Sequence, residues 1–228
     1  MLPRVILHVA TSLDGRITNF PANLDLYYAL AATWKPDAIL FGSETVVAAV
    51  RENPSLEVPK EHEDLFTPPE GAEDTRPLLV IADSRGRVRC WDAIRTWPYM
   101  RDLLAFCSAA TPKEYLDYLA ERRIDAIIAG EDRIDMREAL SELNRRHGVK
   151  TVRVDSGGTL NSVLLEAGVV AEVSVLVHPF LAGGKPDPTM FDPAKAGFPD
   201  LQVPLELIRT EVVGDGLVWA RYSVKQSP

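Results

Sequence analysis

The sequence has little cysteine, no long apolar run and no surplus of basic residues. Only Cys90 and Cys107 occur among 228 residues, too few for a disulfide scaffold or a zinc knuckle. No stretch approaches membrane-spanning length, and the apolar run at residues 5–9 lacks the length of a cleavable signal's core. The net charge of -8 disfavours nucleic-acid binding. These absences predict a cytoplasmic protein without nucleic-acid or membrane partners.

The usual nucleotide and hydrolase motifs are also missing. No P-loop, Rossmann glycine pattern or Gly-x-Ser-x-Gly elbow occurs, and Asp155-Ser156-Gly157 lacks the glycine before its serine. The histidines show no metal-ligand spacing, so no metal is predicted. His8 lies in an apolar run and is predicted to be a hydrogen-bonded core residue, whereas His178 ends a strand and is the one histidine kept as a cleft candidate.

What the sequence does contain is a regular alternation of strand-like and helical patterns. Hydrophobic residues make up 46% and charged residues 25%, which is ordinary for a globular domain. Buried strands alternate with amphipathic helices, and residues 205–213 and 217–224 form an antiparallel hairpin around Gly214-Asp215-Gly216. We predict one α/β domain over residues 1–228, with a mostly parallel central sheet, helices on both faces and a C-terminal antiparallel hairpin.

The most informative stretch is residues 152–161, where a strand passes through Gly157 and Gly158 into a helix. Glycines there let backbone N–H groups approach a ligand, and the helix N-terminus favours an anion such as pyrophosphate. A tight turn capped by Thr159 explains the same residues. This stretch alone leaves the two interpretations balanced.

Other strand ends carry hydroxyl groups, carboxylates and arginines. Ser12, Asp14 and Arg16 follow the first strand and are placed to face a cleft, although a solvated turn fits them too. Ser84 and Arg85 follow the strand at residues 78–82, where a guanidinium suits the 2′-phosphate of NADP, with a solvated turn as the alternative. Such a site without a nucleophile suits hydride transfer from a bound nicotinamide.

Taken in order, several of these motifs resemble one family. They are residues 12–17, residues 37–42 with Thr45-Val46, residues 77–84, and residues 155–161 followed by 173–184. Together they resemble the riboflavin-biosynthesis reductases of the RibD C-terminal-domain family, which has a dihydrofolate-reductase-like fold. The zinc signature of the deaminase domain often fused to these reductases is absent.

The resemblance implies NADPH as the hydride donor and a ribosylaminopyrimidine 5′-phosphate as substrate, with its ribose reduced to ribityl. It assigns cofactor contacts to Thr45, Ser84, Gly157, Gly158, Thr159 and Leu160, to which the strand-end argument above adds Arg85. Asp14 is predicted to be the catalytic residue that orients or polarises the substrate. Substrate contacts are predicted for Ser12, Arg16, Leu56 and Asp155, where Asp155 replaces the family's usual Glu. A homodimer is expected by analogy.

Departures from the family pattern concentrate where the substrate's phosphate would bind. The segment at residues 45–56 is longer than the family's and lacks its Arg after the proline, so Lys35, Arg51 or Lys60 would have to substitute. A dihydrofolate-reductase-like enzyme for another pterin or heterocycle is therefore an alternative, and a non-catalytic nucleotide-binding module is another.

Overall fold

Strands and helices alternate along most of the chain in this computed structural model, which describes residues 1–52, 74–183 and 188–225. The strands are β1 (Arg4–Ser12), β2 (Ala38–Gly42), β3 (Leu78–Ala82), β4 (Asp102–Cys107), β5 (Asp125–Ile128), β6 (Thr151–Val154), β7 (Val170–His178), β8 (Leu205–Val213) and β9 (Leu217–Val224). The helices are α1 (Leu24–Ala31), α2 (Ser43–Glu52), α3 (Trp91–Arg95), α4 (Lys113–Glu121), α5 (Met136–His147), α6 (Gly158–Glu166) and α7 (Pro193–Ala196). The predicted α/β class is confirmed.

The first of two compact units contains Met1 and Asp37–Val149. Its strands lie parallel in the order β5-β4-β3-β2, and each is preceded or followed by a helix, as parallel connections require. The core of this unit surrounds Trp91, whose indole Nε1 donates to the Tyr115 hydroxyl at 3.1 Å. Because Gly42 pairs with Ala82, β2 and β3 end level with each other, which brings the residues after them to one edge.

The second unit contains Leu2–Pro36 and Lys150–Pro228. Its strand order is β6-β1-β7-β9-β8. Strands β6, β1 and β7 are parallel, whereas β9 runs antiparallel to β7 and β8 antiparallel to β9. This arrangement confirms the mostly parallel sheet and the C-terminal hairpin, whose two strands have the predicted bounds.

Local sequence signals define several helix ends. The Asn23 side chain accepts the backbone N–H of Leu26 at 3.0 Å at the start of α1, and Asp135 caps α5 in the same way. Gly148 ends α5 with φ +67°, a conformation that glycine adopts without steric cost. Helix α1 ends at Ala31, and the chain tightens there into a 3-10 turn, Ala32–Trp34.

His8 anchors α1 to the sheet from inside β1. Its ring stacks on Tyr27 with centroids 4.3 Å apart. The ring's Nε2 lies 3.1 Å from the Tyr27 carbonyl oxygen, which can only accept, so Nε2 donates and Nδ1 accepts from Ser174 Oγ at 3.0 Å. Burial lowers the pKa of His8 to about 4, although its hydrogen bond to Tyr27 acts in the opposite direction. His8 is thus the core histidine that the sequence predicted.

Within the described parts of the chain, no helix is long and apolar enough to cross a membrane.

Candidate functional site

The loop after β1 folds back on the Ser12 side chain. Ser12 Oγ donates to Asp14 Oδ1 at 2.6 Å and accepts the backbone N–H of Arg16 at 3.0 Å. Gly15 has φ +78°, a left-handed conformation that fits the predicted Asp-Gly turn. The structure therefore brings Ser12, Asp14 and Arg16 together, as the sequence predicted.

The Asp14 carboxylate also holds the segment after β7. It accepts backbone N–H groups from Ala182 at 2.9 Å and Gly183 at 3.0 Å. The Ser12 hydroxyl first, and then these two amides, hold the pKa of Asp14 well below its usual range, since each donor favours the charged form. Asp14 is thus an ionised, hydrogen-bonded carboxylate that organises a loop and is poorly suited to donate a proton.

His178 ends β7 and also joins segments of the backbone. Its Nδ1 lies 3.1 Å and 3.2 Å from the carbonyl oxygens of Leu176 and Thr11, so this nitrogen donates. Its Nε2 accepts the backbone N–H of Asn23 at 2.9 Å. With both ring nitrogens used by the main chain and the residue only 2% exposed, the cleft candidate of the sequence is a structural residue.

Asp155 lies directly after β6 in a buried polar cluster. The Tyr27 hydroxyl is 3.1 Å from Asp155 Oδ1, and Arg153 Nη2 is 3.5 Å from Asp155 Oδ2. Arg153 is only 5% exposed, and its guanidinium lies 5.7 Å from the centre of the Tyr28 ring. Among the described residues, Arg153 Nε and Asp155 Oδ2 have no hydrogen-bond partner.

The Tyr27 hydroxyl has one proton and two oxygen neighbours. The His8 carbonyl oxygen, at 2.7 Å, is the closer and can only accept. The hydroxyl also lies as a donor 3.1 Å from Asp155 Oδ1, a contact that favours the ionised form of Asp155. Burial raises the pKa of Asp155 above its ordinary value, while Arg153 and the Tyr27 hydroxyl act in the opposite direction. Asp155 is accordingly the better proton donor of the two predicted carboxyl groups.

The strand register separates these two carboxyl clusters. Val154, the residue before Asp155, pairs with Leu7 of β1, whereas Ser12 lies five residues further along β1. Asp155, one residue after Val154, is therefore four residues short of the level of Ser12, roughly 13 Å at 3.3 Å per residue. Asp155 and the Ser12–Asp14 pair thus occupy different levels of the sheet.

The glycine pair at the start of α6 is packed against protein. A Cβ on Gly158 would lie 2.4 Å from the Thr189 carbonyl oxygen and 2.8 Å from the Asp192 backbone nitrogen, whereas one on Gly157 would meet only Ile17 Cδ1, at 3.3 Å. Gly158 therefore admits the backbone of residues 189–192. A side chain at Gly158 would force the backbone to shift, because that space is already filled.

The N-terminus of α6 is further tied to this covering segment. Asn161 Nδ2 donates to the Met190 carbonyl oxygen at 2.9 Å, and Ser162 Oγ accepts the Asp192 backbone N–H at 3.0 Å. Thr189 also forms an isolated bridge with Arg16. The structure thus places Arg16, Gly157 and Gly158 in one neighbourhood of the second unit, in which Thr159 is half-buried.

The remaining predicted cofactor residues lie in the first unit. Thr45 is in the first turn of α2, directly after β2, and Ser84 and Arg85 follow β3. Arg87 Nη2 donates to Ser43 Oγ at 2.8 Å, which ties these two strand ends together. Gly86 has φ +62°, and a Cβ there would be 2.6 Å from the Tyr115 ring. Thr45, Ser84 and Arg85 therefore share one edge, and Arg85 is exposed.

Leu56, the remaining predicted substrate contact, lies outside the described residues. Within the described residues, no group of three or more His, Cys, Asp or Glu side chains could hold a metal ion.

Sequence reasoning overlooked both Tyr27 and Arg153 as neighbours of Asp155. Arg153 carried a usable signal, because an arginine between two valines in a short buried strand needs a buried partner. Tyr27 carried none, since only the docking of α1 on β1 brings its hydroxyl to Asp155.

The chain matches the family described as the RibD C-terminal domain over residues 3–219. It is 32% identical over 199 residues to the 2,5-diamino-6-ribosylamino-4(3H)-pyrimidinone 5′-phosphate reductase of Archaeoglobus fulgidus, covering 84% of this chain and 87% of that relative. The reductase of the same name from Methanothermobacter thermautotrophicus is 29% identical over 237 residues, covering 99% of this chain and all of that relative.

Solved structures agree on the fold. A pyrimidine reductase-like protein from Corynebacterium diphtheriae has a TM-score of 0.73 at 18% identity, covering 99% of this chain and 93% of that one. RibD of Acinetobacter baumannii has a TM-score of 0.68 at 22% identity, covering 98% of this chain and 58% of that one. The family match over nearly the whole length, together with the 32% identical relative, shows that the chain belongs to the RibD C-terminal domain family.

Proposed function

We propose that this protein is an NADPH-dependent reductase that converts the ribosyl group of a ribosylaminopyrimidine 5′-phosphate to ribityl. Its relatives are named reductases for 2,5-diamino-6-ribosylamino-4(3H)-pyrimidinone 5′-phosphate, and the chain is accordingly a riboflavin-pathway reductase that uses a nicotinamide cofactor. The structural observation that carries the proposal is the partly buried Asp155 carboxyl group, three residues before α6, in contact with the Tyr27 hydroxyl. We also propose that the protein is cytoplasmic and homodimeric, as the family resemblance implies.

The start of α6 fits part of a dinucleotide. The first N–H groups of a helix have no acceptor within the helix and favour an anion. A Cβ on Gly157 would meet only the end of the Ile17 side chain. A ligand can therefore approach the Gly157 backbone closely. We assign phosphate contacts to Gly157, Thr159 and Leu160, and a packing role to Gly158. When bound, NADPH supplies the hydride.

The substrate needs a proton as well as the hydride. Converting ribosyl to ribityl breaks the C1′–O4′ ring bond, adds hydride to C1′ and leaves a hydroxyl at O4′, so one proton must be supplied. We assign its donation to Asp155. Burial favours the acid before transfer, and Arg153, 3.5 Å away, stabilises the carboxylate afterwards together with the Tyr27 hydroxyl.

Asp14 keeps a different role in this proposal. Because it stays ionised and accepts N–H groups from Ala182 and Gly183, it orients the loop that carries Ser12 and Arg16. We propose that Ser12 and Arg16 contact the substrate from this loop. We also propose that NADPH is contacted by Thr45, Ser84 and Arg85, with Arg85 toward its 2′-phosphate.

Turnover of the pyrimidinone phosphate, followed by the loss of NADPH absorbance, tests this function. NADPH should bind to the protein alone, and it should be oxidised only when the substrate is also present. Binding of neither NADPH nor NADH contradicts the reductase assignment. Binding without turnover of this substrate favours a reductase of another heterocycle or a non-catalytic module.

Three variants test the division of roles between the carboxyl groups. Asp155→Asn should lower kcat by roughly 10²-fold or more, the usual loss for a general acid, with NADPH affinity unchanged. Asp155→Glu is the matched control and should retain activity, because it keeps the acid that the family usually carries. The kcat of the wild type should fall as pH rises through the raised pKa of Asp155. Asp14→Asn should weaken substrate binding, and its kcat should still fall with rising pH as in the wild type. A full kcat in Asp155→Asn would contradict the assignment of Asp155 as the proton donor.

A further inference from the structure

Arg153 is a buried cation whose hydrogen-bond donors are largely unused. Only 5% of the residue is exposed, and among the described residues its Nε has no hydrogen-bond partner. The distance of 3.5 Å from its Nη2 to Asp155 Oδ2 is longer than a charge-assisted hydrogen bond. A guanidinium has five N–H donors and keeps its charge, so its burial is unfavourable unless an acceptor is supplied. Arg153 can therefore take an acceptor from a ligand.

The same face of the sheet contains a second buried charge, which is paired by two short hydrogen bonds. Register places Ile6 beside Arg153 on β6 and beside Glu172 on β7, so the two charged side chains lie on one face of the sheet. Glu172 is 1% exposed. It accepts from Arg4 Nη2 at 2.5 Å and from Arg221 Nε at 2.6 Å. The chain thus pairs the structural charge closely, whereas Arg153 keeps open donors that suit a ligand.

The surroundings of Arg153 reach solvent on the side of Asp155 and Tyr28. The guanidinium lies 5.7 Å from the centre of the Tyr28 ring, and Tyr28 is 51% exposed. The Asp155 side chain is 20% exposed. His8, two residues after Ile6 on β1, is neutral at pH 7 because burial lowers its pKa to about 4. An anion that enters beside Tyr28 and Asp155 therefore meets the guanidinium in a site with little water to screen its charge.

The proposed reaction increases the need for an anion at Arg153. If Asp155 donates a proton, its carboxyl group is neutral when the substrate binds, and Arg153 then lacks the negative charge of this neighbour. A buried cation without an opposite charge is strongly unfavourable. The proposed substrate carries a phosphate, which a guanidinium binds through parallel N–H donors. The phosphate would supply the missing charge in the state in which Asp155 is the acid.

We infer that Arg153 binds the 5′-phosphate of the substrate, an inference that rests on the proposed function. In a ribose 5′-phosphate, O4′ and the phosphorus are linked through only C4′, C5′ and O5′. An acid directed at O4′ and a cation directed at the phosphate must therefore be neighbours, as Asp155 and Arg153 are. Arg153 differs from the basic residues that the sequence offered for this contact, which are Lys35, Arg51 and Lys60. The contact selects the phosphorylated substrate over the same compound without its phosphate.

The preference for the phosphorylated substrate tests this contact. The wild type should have a kcat/KM for the 5′-phosphate roughly 10²-fold or more above that for the dephosphorylated compound, since losing one partner of a buried, hydrogen-bonded charge pair has an effect of this size. Arg153→Gln removes the charge but keeps a donor near Asp155. It should abolish most of this preference, mainly by raising the KM for the phosphorylated substrate.

Lys150→Gln is the matched control, because Lys150 is exposed and directly precedes β6. It loses the same charge and should keep the preference of the wild type. An equal loss of kcat/KM for both substrates in Arg153→Gln would show that Arg153 acts only on Asp155 or on the fold, and it would overturn the inference.

Stabilisation by a ligand gives a second measurement that needs no turnover. Ribose 5-phosphate should raise the melting temperature of the wild type, whereas ribose at the same concentration should not. Arg153→Gln should lose this shift. If Arg153→Gln does not fold, Arg153→Lys takes its place. It keeps the charge without the planar fork of donors, and it should show a smaller shift than the wild type.

These measurements separate the phosphate contact from the proposed reaction. A shift that depends on Arg153, in a protein that does not turn over the pyrimidinone phosphate, would contradict the proposed reductase and support the phosphate contact. The absence of a shift in the wild type, or an equal shift in the wild type and the Arg153 variant, would overturn the phosphate contact even if the protein is an active reductase.

Discussion

At the residue scale, the protein gives two aspartates opposite environments. Asp14 accepts three hydrogen bonds, from Ser12, Ala182 and Gly183, and its pKa is lowered. Asp155 is desolvated, and its pKa is raised. Two carboxyl groups whose pKa values are moved apart in this way are suited to different roles, one as a fixed anion and the other as a proton donor.

The His8 network makes a prediction about stability against pH. The folded pKa of His8 is about 4, below the unfolded value of about 6.5. The unfolded chain therefore binds a proton as pH falls from about 6.5 to 4, while the folded protein does not. Full stability is present above this window and up to about 3 kcal/mol is lost across it.

Urea unfolding of wild type and His8→Gln at several pH values measures this effect. The glutamine variant cannot titrate, so its free energy of unfolding should fall less between pH 7 and pH 4 than that of the wild type. Asp155 acts in the opposite direction, because its raised pKa adds relative stability as pH falls, but it is common to both proteins. Parallel pH curves for the two proteins would contradict the assignment.

At the scale of elements, the two glycines at the start of α6 serve two different physical purposes. Gly158 makes room for the backbone of residues 189–192, and Gly157 stays next to the movable end of Ile17. The sequence alone offered the same explanation for both glycines, which was either a phosphate-binding turn or a tight turn. The packing of a segment about 30 residues later gives Gly158 a role different from that of Gly157. No pattern within residues 152–161 predicts this packing.

Two matched variants test this separation. Gly158→Ala forces its Cβ against the Thr189 carbonyl oxygen at 2.4 Å, so the backbone must shift, and overpacking of this kind costs typically 1–3 kcal/mol. Gly157 has φ -84°, which any residue adopts, so Gly157→Ala should cost little stability and instead weaken NADPH binding. Thermal melts and NADPH titrations measure both effects. Equal melting temperatures for the two variants would argue against the packing role of Gly158.

At the scale of the whole molecule, the sequence allowed the architecture to be predicted better than the site. The hydrophobic periodicity of strands and helices, and capping residues such as Asn23, Asp135 and Gly148, are local features of the sequence. Short stretches of sequence were therefore enough to predict the strands, the helices and the hairpin. The Tyr27–Asp155 contact and the covering of Gly158 depend on how α1 and residues 189–192 pack, which no local pattern encodes. The roles of the predicted site residues remain predictions, as does the single domain, although one family match spans both units.

The hairpin illustrates the same limit and leads to a prediction for the whole protein. Its bounds follow from alternation, but the register shift of β8 between Leu207 and Arg209 is visible only in the strand pairing. If the protein is the homodimer proposed above, folding is coupled to association, and the melting temperature should rise with protein concentration. Melts of the wild type at about 1 μM and about 100 μM should therefore differ by several degrees, since the hundredfold change in concentration favours the dimer by up to about 2.7 kcal/mol. A wild-type melting temperature that is independent of concentration would show that the folded chain gains no stability from a second copy.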